Sequence, residues 1–163
     1  MKTVLIVWHS RTGGAQAMAQ AAAEAAQAGG ETVVTTLRAA EAQPADLLAA
    51  DGYLFVCPEN LASMSGEMKE VFDRCYYPCL DRLNGRPYAA MICAGSDGEG
   101  AARQLARIAT GWRLKPIADP VIVNLGAQSP EAIVAPKTLT AAQLAPCAEL
   151  GAALAAGLAM GVF

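Results

Sequence analysis

Apolar residues occur along this chain in short continuous runs rather than in strict alternation with polar residues. Most of these runs are rich in β-branched or aliphatic side chains, and each is followed by small and polar residues. Strands buried on both faces show this pattern, because helices cover both sides of a parallel sheet. The runs predict five strands, over residues 4–8, 32–36, 53–56, 88–93 and 121–123.

Helical segments are predicted between these strands, over residues 15–28, after Pro44, and over residues 66–74 and 98–109. The first of them ends at Gly29, which is a C-cap signal. Ser96 and Thr140 each precede a Glu or Gln by three residues, which is the spacing of a capping box. Strands and helices that take turns predict a single α/β domain over residues 1–163, with a parallel sheet covered on both faces. Two stretches carry no clear pattern, residues 112–120 and 124–137.

The first predicted strand leads into a loop of hydroxyl-bearing, small and glycine residues, His9-Ser10-Arg11-Thr12-Gly13-Gly14-Ala15. Such a loop can surround a phosphate with backbone N–H groups, and the helix that follows directs the positive end of its dipole at the anion. The sequence of this loop matches neither the dinucleotide fingerprint nor the Walker sequence. Its several hydroxyl groups and single cation suit a terminal phosphate monoester. An alternative interpretation is that Ser10 and Thr12 cap the helix while Gly13 and Gly14 form a tight turn.

Two further loops rich in small and polar residues follow the third and fourth predicted strands, over residues 57–66 and 94–100. In open parallel sheets, ligands bind beyond the carboxyl ends of the strands, near the point where the strand order reverses. We therefore expect these two loops and the first loop to meet around one ligand.

The three loops resemble the flavin-binding loops of the flavodoxin-like superfamily. The most specific segment is Ser63-Met64-Ser65-Gly66-Glu67-Met68-Lys69, followed by Phe72-Asp73-Arg74. It is similar to that of NAD(P)H-dependent FMN and quinone reductases of the tryptophan-repressor-binding-protein type, and the resemblance extends over nearly the whole chain. It implies a flavodoxin-like doubly wound five-stranded parallel sheet, FMN as cofactor, NADPH or NADH as electron donor, and a quinone or another small molecule as electron acceptor.

The resemblance also implies which residues hold the cofactor. The phosphate would lie against Ser10, Arg11, Thr12, Gly13, Gly14 and Ala15. The flavin ring would be bordered by Pro58, Glu59, Asn60, Leu61 and Ala62, and its other side would be closed by Ala94, Gly95, Ser96, Asp97, Gly98 and Gly100. No catalytic side chain and no metal ligand is expected, because the flavin carries the redox chemistry.

Neither ring loop contains Tyr, Trp or Phe. One face of the ring would then be open to a nicotinamide or a flat substrate, which favours an enzyme. Two alternatives stay open, a flavodoxin-type electron-transfer protein and a non-catalytic FMN-binding module. The net charge of −3 is small for a carrier that finds its partners through a strongly acidic face. The chain is shorter than the tetrameric quinone reductases near the fourth strand, which leaves quinone specificity open.

Charge and composition narrow the partners and the compartment. The chain has 12 basic and 15 acidic residues, and the basic ones are scattered, so nucleic acid is not an expected partner. Five cysteines without a signal-peptide pattern favour a reducing cytoplasm. The apolar residues 144–163 are interrupted by Pro146 and Glu149, which indicates a packed helix rather than a membrane span.

Several reactive residues have both a structural and a functional interpretation. His9 could donate a hydrogen bond to the phosphate or transfer a proton, or it could be a structural residue of the loop. The structural interpretation is favoured. Cys75 and Cys79 are four residues apart, but without a second pair of ligands buried thiols are favoured over a zinc site. Cys57 and Cys93 end strands beside the ring loops, where packing is favoured over redox chemistry.

Apolar residues at helical spacing begin within the second loop and continue into the predicted helix after it. They are Met64, Met68, Phe72, Tyr76 and Tyr77. This stripe predicts either an interface in a homodimer or homotetramer, or a face packed on the core of the domain.

Overall fold

The computed structural model describes residues 1–163 as alternating strands and helices. The strands are β1 Lys2–Trp8, β2 Thr32–Arg38, β3 Gly52–Asn60, β4 Ser63–Met64, β5 Pro87–Ala94, β6 Lys115–Pro116 and β7 Val121–Asn124. The helices are α1 Gly14–Ala28, α2 Pro44–Ala49, α3 Gly66–Cys79, α4 Glu99–Gly111, α5 Pro130–Val134 and α6 Ala141–Met160.

The central sheet is parallel and has the order β2-β1-β3-β5, followed by β6 and β7. Both short strands pair with β5, β6 near its start and β7 near its end, so the fifth position of the sheet is shared by two pieces of chain. Only β4 runs antiparallel, as the second arm of a hairpin with β3. The chain reverses its direction across the sheet between β1 and β3, which is the doubly wound order of flavodoxin-like proteins. The predicted fold class is confirmed.

Successive residues of each strand point to opposite faces of the sheet. In β3, Tyr53 and Phe55 face the layer of α2, α3 and α4, and the Phe55 ring lies 4.9 Å from that of Phe72. Leu54 and Val56 face the layer of α1 and α6. These four side chains of β3 are all fully buried. The continuous apolar runs therefore reflect a sheet with a hydrophobic core on each side.

Helix α6 packs along α1, and small residues allow the two backbones to approach closely. A Cβ atom on Gly151 would overlap the carbonyl group of Ala22 and would lie 2.7 Å from its Cα atom. By length and composition α6 is the one helix that could cross a membrane, with a mean hydropathy of 1.3 over 18 residues. Core helices pass the same test, and α6 buries Leu150, Leu154 and Leu158 against the sheet layer, as expected for a packed helix.

The two predicted capping boxes have different outcomes. The Thr140 box is confirmed at the start of α6. The Ser96 box is wrong, because α4 begins after Gly98, which has a φ of 98°, and no side chain of its own loop caps it. The cap comes from β3 instead. The Glu59 carboxylate accepts hydrogen bonds from the N–H groups of Gly98, at 2.8 Å, and Ala101, at 3.0 Å.

Helix α3 is longer than predicted and continues to Cys79. The apolar stripe begins at Met64 in β4 and continues along α3. Met64, Met68 and Phe72 are buried in the core, whereas Tyr76 and Tyr77 are exposed by 41% and 80%. The packing interpretation therefore holds for the first three residues. A homodimer or homotetramer stays a prediction, which light scattering tests.

Candidate active site

The three loops expected to bind a ligand meet at the carboxyl edge of the sheet and enclose two cavities, of about 510 and 320 Å³. Thr12, Pro58, Asn60, Cys93 and Ile133 line both of them. We call the two adjoining cavities the cleft. Its size is that of sites for small ligands and cofactors.

Most of the predicted site residues line the cleft. They are Ser10, Arg11, Thr12, Gly14, Ala15, Pro58, Glu59, Asn60, Leu61, Ala62, Ala94, Gly95 and Ser96. Four others line neither cavity. They are Gly13, Asp97, Gly98 and Gly100. Gly13 and Gly98 have positive φ values, and Gly100 lies against the Ala62 carbonyl group. Asp97 is exposed to solvent.

The first loop leaves the start of α1 without a side-chain cap. Helix α1 follows Gly13, which has a φ of 101°, and neither Ser10 nor Thr12 caps it. The Ser10 hydroxyl instead accepts a hydrogen bond from the N–H of Gly13, at 3.1 Å. The capping part of the alternative interpretation is therefore wrong, whereas the positive φ of Gly13 fits the tight turn. The first N–H groups of a helix have no partner within it, so those of Gly14 and Ala15 are free to bind an anion at the cleft.

The second loop is a strained hairpin turn. Asn60 of β3 pairs with Ser63 of β4, and Leu61 and Ala62 between them have φ values of 53° and 63°. Two-residue turns of this kind favour Asn and Gly, because both central residues need positive φ. Leu61 is also fully exposed at the mouth of the cleft. Strain of this kind persists only where the surroundings hold it, and it clusters at ligand sites.

Helix α4 holds this turn in place. The Gln104 side-chain oxygen accepts hydrogen bonds from the Ser63 hydroxyl, at 2.7 Å, and from the Met64 N–H, at 2.8 Å. Gly100 permits the contact, because a Cβ atom there would overlap the Ala62 carbonyl oxygen. The turn is therefore fixed to α4 before any ligand arrives.

Replacing Glu59 with alanine should lower the free energy of unfolding by about 1.5–3 kcal/mol, because two hydrogen bonds to a charged group are lost and the start of α4 is left uncapped. Urea unfolding of the ligand-free protein measures the change. The control is Glu99→Ala, which removes an exposed carboxylate from the first turn of the same helix and should cost only a few tenths of a kcal/mol. Equal losses in both variants would contradict a capping role for Glu59.

A fourth wall of the cleft comes from residues 125–137, where the sequence carried no clear pattern. This segment contributes Leu125, Ala127, Ile133, Val134 and Lys137. Part of it was accessible to sequence reasoning, because Ser129 followed by Pro130 is a helix-start signal and Ser129 does cap α5. That this short helix lies over the cleft follows only from the tertiary structure.

His9 links the end of β1 to the start of α3 and lines neither cavity. Its Nδ1 atom lies 2.7 Å from the hydroxyl oxygen of the buried Ser65, and its Nε2 atom lies 3.2 Å from a carboxylate oxygen of Glu67. A neutral imidazole with its proton on Nε2 satisfies both contacts, because Nδ1 then accepts from the Ser65 hydroxyl. These contacts favour the structural interpretation of His9.

Lowering the pH should destabilise the protein through His9. Burial lowers the pKa of His9 below 6.5, the Glu67 carboxylate opposes this shift, and Arg11 adds to it. Since the unfolded chain then binds the proton more readily, the stability that His9 contributes is complete above pH 6.5 and is lost as the pH falls through the folded-state pKa. Urea unfolding between pH 8 and pH 5 should show a smaller loss for His9→Gln than for the wild type.

The pKa of Asp51 does not interfere with this measurement. Burial raises it, but hydrogen bonds from the Thr3 N–H and from Lys2 outweigh burial and hold it below 3.8. The stability that Asp51 contributes is therefore lost only at more acidic pH.

Parallel pH profiles of wild type and His9→Gln would contradict the assignment to His9.

All five cysteines are free and buried, as the packing interpretation predicted for Cys57, Cys75, Cys79 and Cys93. Burial raises the pKa of the Cys57 thiol to about 12 and that of Cys75 to about 11, so both are protonated at neutral pH. Cys93 lies in the cleft, where burial also raises its pKa and Lys137 opposes the shift. No group of three or more His, Cys, Asp or Glu side chains is placed to hold a metal ion.

Comparison with known proteins places the chain in a family. Residues 39–128 match the family model of NADPH-dependent FMN reductases. A curated flavodoxin from Aquifex aeolicus (strain VF5) is 32% identical over 100 residues, which are 61% of this chain and 54% of that protein. The chain thus spans about half the length of this relative.

Solved structures agree with the fold. A flavodoxin from the domain Archaea superposes with a TM-score of 0.74 at 17% identity, over 96% of this chain and 98% of that one. A flavodoxin, the WrbA-like protein from Agrobacterium tumefaciens, superposes with a TM-score of 0.69 at 20% identity, over 99% of both chains. Because the family model matches more than half of the chain, and the fold agrees, the protein belongs to the NADPH-dependent FMN reductase family within the flavodoxin-like superfamily.

Proposed function

We propose that the protein binds FMN noncovalently in the cleft, accepts hydride from NADPH or NADH, and reduces a quinone or a similar small acceptor. The observation that carries this proposal is the combination of an uncapped helix start with a cleft that contains no aromatic side chain. The first feature suits a phosphate, and the second leaves room for a second planar ring.

The phosphate end of the site is formed by the first loop and the start of α1. The free N–H groups of Gly14 and Ala15 and the positive end of the helix dipole favour a dianion there. Thr12 and Arg11 also line the cleft, and their side chains add a hydroxyl donor and a positive charge. The residues present therefore fit a phosphate monoester such as that of FMN.

The ring end lies between the strained turn and the loop after β5. It is lined by Asn60, Leu61, Ala94, Gly95 and Ser96, none of which can stack an aromatic ring on the flavin. When bound, FMN supplies hydride acceptance and donation, and the protein supplies orientation and electrostatics. A ring face on which no aromatic side chain stacks leaves space for a nicotinamide.

A second candidate is a flavodoxin-type electron carrier, which the similarity to the Aquifex aeolicus flavodoxin favours. A carrier would hold FMN as firmly as an enzyme but would exchange electrons with protein partners rather than with a nicotinamide. A non-catalytic FMN-binding module would do neither. The three functions differ in what reduces the bound flavin.

The test is to load the purified protein with FMN, remove free flavin, and follow the visible flavin band under anaerobic conditions as NADPH or NADH is added. Bleaching that is much faster than that of free FMN at the same concentration is the expected result. Bleaching only by dithionite would contradict the reductase and support the carrier or the binding module. A protein that retains no FMN would contradict all three.

A further inference from the structure

The fourth wall of the cleft has little apolar packing in its helical part. Helix α5 contains no buried residue, and its apolar side chains Ile133 and Val134 are exposed by 52% and 73%. A five-residue helix has almost no stability of its own in water. Segments with few buried contacts open easily, so something other than hydrophobic burial must hold this wall.

Lys137 makes the polar contacts that hold it. Its ammonium donates hydrogen bonds to the carbonyl oxygens of Ala132, Ile133 and Ala135, at 2.7, 3.0 and 2.5 Å. Its backbone N–H donates to the Thr12 carbonyl oxygen, at 2.8 Å. A cation at the end of a helix is favoured by the helix dipole and by the free carbonyl groups of the last turn. Lys137 thereby joins α5 to the first loop of the cleft.

Lys137 forms no ion pair within the chain. No carboxylate lies within 4 Å of its ammonium, although the side chain lines the larger cavity. Ile133, whose carbonyl the ammonium binds, lines both cavities. The lysine is thus placed to determine where this part of the wall stands relative to a ligand.

We propose that Lys137 is a positioning residue that holds residues 125–137 as a wall over the bound flavin and slows its release. This inference rests on the proposed binding of FMN. Without the ammonium, the three carbonyl groups turn to water and the segment opens. The rate at which the flavin leaves then rises, while the phosphate-binding amides of α1 are unchanged.

A direct contact between the ammonium and the FMN phosphate is the competing explanation. Riboflavin distinguishes the two explanations, because it carries the same ring without the phosphate. If Lys137 acts through the wall, its loss speeds the release of both flavins equally. If it binds the phosphate, only FMN is affected.

The experiment measures dissociation rates of FMN and riboflavin from the wild type, Lys137→Met and Lys115→Met by stopped-flow fluorescence. Lys137→Met should release both flavins roughly tenfold faster, which corresponds to about 1.4 kcal/mol and is the size expected for losing hydrogen bonds from a charged group. Lys115 is exposed on β6, so Lys115→Met removes the same charge and should leave both rates unchanged. Lys137→Arg should restore much of the retention, because a guanidinium also donates to carbonyl groups.

Unchanged rates in Lys137→Met, or a change confined to FMN, would overturn the proposal. Hydrogen exchange of the ligand-free protein gives an independent readout, in which the backbone N–H groups of residues 131–135 and 137 should exchange faster in Lys137→Met than in the wild type. Equal exchange would also overturn it. If the wild type bound no flavin, the proposed function would fail, and the exchange measurement would still test the wall.

Discussion

Replacing Gly13 with valine is expected to weaken FMN binding by roughly 100-fold, or close to 3 kcal/mol. Gly13 has a φ of 101° and immediately precedes α1. Valine strongly disfavours this conformation, so the backbone must rotate to relieve the strain. Rotation there turns the N–H groups of Gly14 and Ala15 away from the phosphate. A fluorescence titration of the variant with FMN measures the loss.

The expected loss of FMN affinity comes from the backbone conformation and not from a steric clash. A Cβ atom on Gly13 would meet only the Lys137 carbonyl oxygen, at an ordinary van der Waals distance of 3.7 Å. Gly85 provides the matched control. It has a φ of 77°, nothing lies within 4 Å of its would-be Cβ atom, and it does not line the cleft. Gly85→Val should carry a similar conformational cost and keep its FMN affinity. Normal affinity in Gly13→Val would show that the phosphate binds elsewhere.

Replacing Gly151 with valine should lower the free energy of unfolding by about 3 kcal/mol or more, which is the upper range for overpacked sites. The new Cβ atom would overlap the carbonyl group of Ala22. The obstacle is backbone of α1, which cannot move aside as a side chain can. Helices α1 and α6 would have to separate, and the apolar contacts between them would be lost. Urea unfolding measures the change.

Gly157 on the same helix is the control. A Cβ atom there would overlap only the ring of Phe163 near the end of the chain, which can swing away. Gly157→Ala also gains helix propensity, so we expect a change of less than about 1 kcal/mol in either direction. If both variants unfolded at the same urea concentration, the close packing of α1 on α6 would not explain the instability of Gly151→Val.

The features predicted from the sequence are those fixed by local pattern and burial. A strand buried on both faces must be apolar at every position, so β1 and β5 were visible as continuous runs, and the three loops followed from their positions after strands. The residue that caps α4 was misjudged, because Glu59 precedes Gly98 by 39 residues in the chain. No local pattern contains that information.

The turn at Leu61 and Ala62 shows a second limit. Turn propensities identify Gly, Asn and Asp, and neither residue at this turn belongs to that set. The conformation is imposed by Gln104 and Gly100 of α4, which hold the hairpin from behind. Sequence reasoning placed both residues beside the ligand, but it could not predict that their backbone would be strained.

The contact between α1 and α6 also bears on how the protein is made. On the ribosome, α1 emerges before α6 and carries an apolar alanine-rich face formed by Ala15, Ala19 and Ala22, whereas α6 is completed only at residue 160. Until α6 is complete, the side of the sheet on which it packs is only partly covered. Exposed apolar surface of this kind promotes aggregation. The other side, packed by α2, α3 and α4, can be completed much earlier. We therefore expect nascent chains that stall before α6 to depend on chaperones far more than full-length chains do.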